Sequence, residues 1–437
     1  MTQLLFLYLL LFPIKIHNYI SLEFTRKFHL NFSSEKNIIE NLITNDLITK
    51  LKIGTPFQEG FLSLQFKEFS TYISSNNCTT LTPKFQQEKS TSYKIIKEKD
   101  NYFYTGFEEG SISNDTLNLG GQTIENFQFI LAYKLRQDGF FSTTELGVLG
   151  LNEKIVRPNS DLENINFIKE LKMKNLIDNY AFSIFFNNEN NGSLIIGNYP
   201  HEYNRKFKKE NFIEINSNKL GDNGEWGIFF DNITSGNEEV KGNSKFFSAF
   251  IYLENGVFYS NRIYHEIIDK TFFDFYLKNN FCQFRDFKST FNYKIYICND
   301  KIDLQKFPSL KFYLKEFNFY FEFTSEDLFF KYKNKYYFLI AFTNKTNWRL
   351  GKQFFQKYTL VFNQDKRTIG FYNNFSKNNV KNILKWIFLM ILVIIILLLM
   401  INLRYKTILK LFKSKRIQAN ELEEETYYSQ NLLINLK

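Results

Sequence analysis

A turn followed by an alternating strand sets the terms for this chain. Ile53-Gly54-Thr55-Pro56-Phe57-Gln58 holds a Gly and a Pro close together, and these are the strongest local punctuation a backbone has. Beyond it the apolar residues Leu62, Leu64 and Phe66 alternate with Ser63 and Gln65. A period of two is the signature of a strand with one buried face. Such a strand needs partners to pair with and a core to cover its apolar side. Aromatic residues make up 19% of the chain, 52 of them Phe and 26 Tyr. These are residues that pack well on a pleated surface. The expectation is a β-rich body, and 437 residues suffice for two lobes of it once the ends are set aside.

Both ends carry apolar runs. Leu4 to Phe12 has the length and place of a signal-peptide core and is short for a membrane span; a buried strand is the alternative. Trp386 to Leu403 is apolar throughout except for Asn402, about the length of a membrane-crossing helix. Arg404, Lys406, Lys410, Lys413, Lys415 and Arg416 follow, which assigns the tail to the cytoplasm. Lys377, Lys381 and Lys385 on the other flank reduce the contrast. The resulting expectation is a single-pass type I membrane protein of the secretory pathway or cell surface, with its bulk luminal or extracellular. Its segments are a signal peptide at 1–20, a short N-terminal segment at 21–45 and a β-rich body. A stalk at 374–385, a span at 386–403 and a cytoplasmic tail at 404–437 complete it.

The net charge of +10 reads as a solvated surface plus a basic juxtamembrane segment, and no nucleic-acid partner is expected. In an oxidising compartment, Cys282 and Cys298 are close enough in sequence to bridge. Cys78 is then left either as a buried thiol or as a site of intermolecular pairing. Candidate glycosylation sites are Asn31, Asn77, Asn114, Asn191, Asn232, Asn344 and Asn374, each beginning an Asn-x-Ser/Thr sequon.

Several stretches, in order, resemble a pepsin-like aspartic protease. In that family an Ile-Gly-Thr-Pro-x-Gln turn precedes a strand ending in Asp-Thr-Gly. In the same register this chain has Gln65-Phe66-Lys67. Leu146-Gly147-Val148-Leu149-Gly150-Leu151 resembles the family's Asp-Gly-Ile-Leu-Gly-Leu. Lys245 to Gly256 stands where the second Asp-Thr/Ser-Gly belongs, with Tyr252 at the Asp position and Glu254 at the Gly position. Trp348-Arg349-Leu350-Gly351-Lys352 resembles the closing Trp-Ile-Leu-Gly-Asp, and Ile369-Gly370-Phe371 its Ile-Gly-Phe. Phe103 and Tyr104 fall where the family has its flap hairpin. The resemblance implies an all-β, mostly antiparallel, bilobal pepsin-like fold with short helices. Its N-terminal lobe is expected at 46–198 and its C-terminal lobe at 199–373, with one C-terminal transmembrane helix added.

The family's reaction needs two carboxylates sharing one proton. Gln65 has no proton to exchange near neutral pH, and a Tyr phenol with a reference pKa near 10 is a poor base. No catalytic residue is therefore assigned, Glu68 and Glu254 being the nearest carboxylates that stand in. The sequence holds no metal-ligand spacing, nucleophile elbow or phosphate loop, and no cofactor is expected. Three readings follow. The first is a catalytically inert membrane-anchored homologue whose cleft grips an extended peptide or protein ligand. The second is an active aspartic-type endopeptidase using displaced carboxylates. The third is a structural surface glycoprotein.

Overall fold

The computed structural model describes residues 18–28, 32–78, 83–101, 107–135, 145–152, 165–217, 225–239, 247–260, 262–288, 292–343 and 346–373 of the body. Near the C-terminus it describes 386, 388–402, 404–406, 408–409 and 413. The call of a signal peptide at 1–20 falls almost wholly outside these residues, as do the stalk and most of the tail.

The turn and strand expected from the sequence are present. Asp46–Ile53 pairs antiparallel with Gln58–Gln65, and Gly54 makes the turn at φ +88°, a conformation open to glycine. Leu62, Leu64 and Phe66 are buried as the alternation requires. Phe66 sits edge-to-face with Phe182, Phe355 and Phe362, at centroid distances of 5.6, 5.5 and 4.9 Å. Aromatic edges on aromatic faces fill much of the interior.

Each half of the body repeats one arrangement. In the first, Gln58–Gln65 runs parallel to Gly147–Gly150, and Tyr72–Ser74 lies antiparallel on the other side of that strand. In the second, Ser248–Ile251 runs parallel to Trp348–Leu350, with Phe258–Ser260 antiparallel beside it. The C-terminal end of a central strand is thus presented twice, at Gln65 and just before Tyr252.

The halves do not divide cleanly at residue 198. Phe212–Asn216, Leu360–Asn363 and Thr368–Tyr372 belong to a 13-stranded sheet that also contains Ala181–Phe186, Asn191–Ile196 and Ile20–Lys27. The short N-terminal segment expected at 21–45 is built into the body. It contributes Ile20–Lys27, paired on both sides, and the helix Glu35–Ile43, whose N-cap Ser34 accepts from the Asn37 N–H at 3.1 Å.

Cys282 and Cys298 stand opposite each other in the hairpin Cys282–Lys288/Asn292–Asn299 and form the disulfide. Cys78 is buried outside any disulfide. The residues from Phe375 onward form a separate unit. Among its described residues, the helix Phe388–Lys406 is long and apolar enough to cross a membrane, with mean hydropathy 2.6. It begins two residues after and ends three residues beyond the span read from sequence.

Candidate active site

Two glycines fix the correspondence between the halves. A Cβ on Gly150 would lie 2.7 Å from the carbonyl oxygens of both Glu68 and Ser70. A Cβ on Gly351 would lie 2.3 Å from the Asn255 oxygen and 2.7 Å from that of Val257. Glu68 and Ser70 are three and five residues after Gln65, as Asn255 and Val257 are after Tyr252. Gln65 and Tyr252 therefore occupy equivalent places at the ends of equivalent strands. The close approach of each loop to its neighbouring strand explains why only glycine fits there.

Neither residue supplies a carboxylate. Gln65 is buried, and its amide Nε2 donates to Ser63 Oγ at 3.3 Å. Tyr252 is buried with its hydroxyl donating to Glu225 Oε1. Burial first, and then the Glu225 charge, push its phenol well above the usual value. Lys67 Nζ and the Arg349 guanidinium carbon each lie 5.2 Å from the centre of the Tyr252 ring. Two cations thus surround a position where the family's chemistry requires an acid.

The carboxylate at this centre is Glu254. Its Oε1 accepts from the backbone N–H groups of Phe66 at 2.5 Å and Lys67 at 3.0 Å, joining the two loops. In an Asx turn an Asp at position 65 would receive the N–H two residues on, which is that of Lys67. Glu254 takes this donor from the opposite half of the chain. The residue as a whole is half-buried, but its Oε2 is sealed from solvent and has no hydrogen-bond partner among the described residues. Burial raises the carboxyl pKa, opposed by the Lys67 charge and by the amides. The loop is held from behind by Asn45, whose Nδ2 donates to the Leu253 oxygen at 2.7 Å and whose N–H donates to the Glu254 oxygen at 2.9 Å. The N-terminal segment thus helps to position the second loop.

Of the two carboxylates singled out from sequence, Glu254 bridges the loops. Glu68 is half-buried, with its charge acting on the Tyr72 phenol. Phe103 and Tyr104 of the flap lie outside the described residues. So do Asn31, Asn344 and Asn374. Asn77 and Asn191 are exposed, whereas Asn114 and Asn232 are half-buried in strands. Among the described residues no group of three His, Cys, Asp or Glu is placed to hold a metal ion.

Sequence reasoning passed over Glu225, Arg349, Asn45 and Lys352. Arg349 and Lys352 were visible as departures from Trp-Ile-Leu-Gly-Asp, a cation replacing Ile and another replacing Asp. Lys352 is 6% exposed, and burial, reinforced by the Arg26 charge, pushes its ammonium down to about 7.

The sequence model of the family described as Eukaryotic aspartyl protease matches residues 47–374, well over half of the chain. A similar relative is a protein named Acid protease from Saccharomycopsis fibuligera, 26% identical over 158 residues. That alignment spans 34% of this chain and 39% of the relative's own length.

Proposed function

The chain belongs to the eukaryotic aspartyl protease family, and within it we propose a membrane-anchored member that holds extended peptide without cutting it. The observation that carries this reading is the Glu254 carboxylate bound to the Phe66 and Lys67 amides. Among the described residues, no second carboxyl is shown sharing a proton with Glu254 across a few ångströms, as the family's reaction requires. With one group, no base remains to take a proton from water while a second donates to the scissile carbonyl. Glu225 does not fill the gap, because its Oε1 is engaged by the Tyr252 hydroxyl. The paired strands of the framework remain, and a sheet-built cleft binds extended chains through backbone hydrogen bonds.

The expected result is no cleavage of an unfolded protein substrate by the purified body at any pH from about 2 to 7, the range in which a proton-sharing pair works. General acid–base help is worth roughly 10² to 10⁴ in rate for each group. The competing reading, an endopeptidase using displaced carboxylates, has one observation in its favour: the unpartnered Oε2 of Glu254. Pepstatin-sensitive cleavage that disappears in Glu254→Gln establishes that reading and ends the inert one.

Anchoring rests on the helix Phe388–Lys406 and the basic residues after it. With the body extracellular, protease added to intact cells removes the body and leaves only a fragment containing Tyr405 to Lys437. Digestion of that tail with the body protected reverses the orientation.

A further inference from the structure

We propose that the ligand of this site carries a carboxylate, and that Arg349 receives it. The inference rests on the reading of the site as a peptide-binding one and names the chemistry of the peptide. Arg349 lies between Trp348 and Leu350, both fully buried. Strand alternation therefore directs it to the opposite face of the sheet, where it is half-buried. Its strand neighbours are Phe250 on one side and Tyr259 on the other. The guanidinium reaches over the Tyr252 ring, and the Phe250 and Tyr252 rings are 6.1 Å apart.

Among the described residues, the guanidinium meets a ring face rather than an oxygen acceptor. A ring face attracts the charge but accepts none of its five N–H donors in the way an oxygen does. Among the described residues, no carboxylate lies within ion-pair distance of Arg349. Glu225 is turned to the Tyr252 hydroxyl, and the Lys67 charge faces Glu254. A planar fork of donors beside aromatic walls matches a carboxylate bound through both oxygens. The aromatic walls limit water access, which strengthens such a pair relative to one in bulk solvent. A cation at this place also opposes a second positive charge, so ligands with Lys or Arg there are disfavoured. The carboxylate has two possible sources, a peptide C-terminus or an Asp or Glu side chain.

Four labelled hexapeptides of one apolar sequence separate these sources: a free C-terminus, a C-terminal amide, an internal Asp with amide, and an internal Asn with amide. Binding to the full-length protein in detergent micelles is followed by fluorescence anisotropy. At least one carboxylate peptide is expected to bind about tenfold or more tightly than its neutral counterpart, in line with the value of charge-assisted hydrogen bonds. The preference weakens as salt is raised. In Arg349→Gln the ratio falls to near one, and in Arg349→Lys a reduced ratio survives. The salt series on the unaltered protein keeps the test decisive if the Gln variant fails to fold. Equal binding of all four peptides overturns the inference, with Arg349 merely solvated, while leaving the peptide-binding reading intact. A carboxylate preference unchanged in a folded Arg349→Gln protein overturns it as well. Binding of none of the four removes the peptide-binding reading and this inference with it.

Discussion

Replacing Lys352 by Met stabilises the folded body by roughly 3–5 kcal/mol at pH 6. The reason is the mismatch between an ammonium in water, with a pKa near 10.4, and one held inside the fold. Here burial, with Arg26 adding repulsion and Glu189 offsetting part of it, brings the pKa down to about 7. Between pH 7 and about 10.4 the unfolded chain binds the proton that the folded chain releases, so stability rises with pH across that window. Below pH 7 the penalty is present in full, and above about 10.4 it is gone. Each pKa unit is worth about 1.4 kcal/mol, which sets the upper figure. Met keeps roughly the length of the side chain while removing the charge. Urea unfolding of both proteins at pH 6 and pH 9 reads the effect. The gain shrinks markedly at pH 9. An equal gain at both values would mean that packing, not charge, separates the two side chains.

What could be read from the sequence was whatever a short stretch encodes by itself. The Gly54 turn and the strand through Gln65 announce themselves by local pattern, whereas the glycines at 150 and 351, and the bilobal fold, were what the resemblance of several stretches, taken in order, implied. The Cys282–Cys298 pair was legible because both cysteines lie in one hairpin. The strand at Ile20–Lys27 has its own alternation at Ile20, Leu22 and Phe24, but Arg26 and Lys27 cut that pattern short after Phe24. Its pairing with Asn191–Ile196 is far away in sequence, and no local pattern encodes it. The centre of the site was harder still. Glu254 was recognised only as a carboxylate displaced from its expected place. Its actual partners are two amides contributed by the other loop, 188 and 187 residues earlier. Arg349 and Lys352 depart from the motif they sit in, yet only their neighbours in three dimensions reveal that one faces aromatic rings and the other is sealed inside.

Glu254→Ala lowers the stability of the body by about 2–5 kcal/mol, whereas Glu254→Gln does not. Alanine leaves the Phe66 and Lys67 N–H groups without an acceptor, and an orphaned buried donor costs about 1–3 kcal/mol. It also removes the side-chain bridge between the two loops. Glutamine retains an oxygen at the place of Oε1, and its amide offers donors near the sealed Oε2 position. The pH dependence runs opposite to that of Lys352. Because burial raises the Glu254 pKa, the folded state favours the protonated acid. The stability this gives is fully present below the unfolded carboxyl value and is lost as pH rises through the folded one. Glutamine cannot ionise and avoids that loss, so Glu254→Gln matches or exceeds the unaltered protein at pH 7, and the difference narrows toward pH 4. Denaturant unfolding of the three proteins at the two pH values checks the order. A Gln variant as unstable as the Ala variant would show that the ionised carboxylate itself, paired with the Lys67 charge, holds the loops together. The Glu254 contact would then be an ion pair whose strength grows, rather than fades, as pH rises.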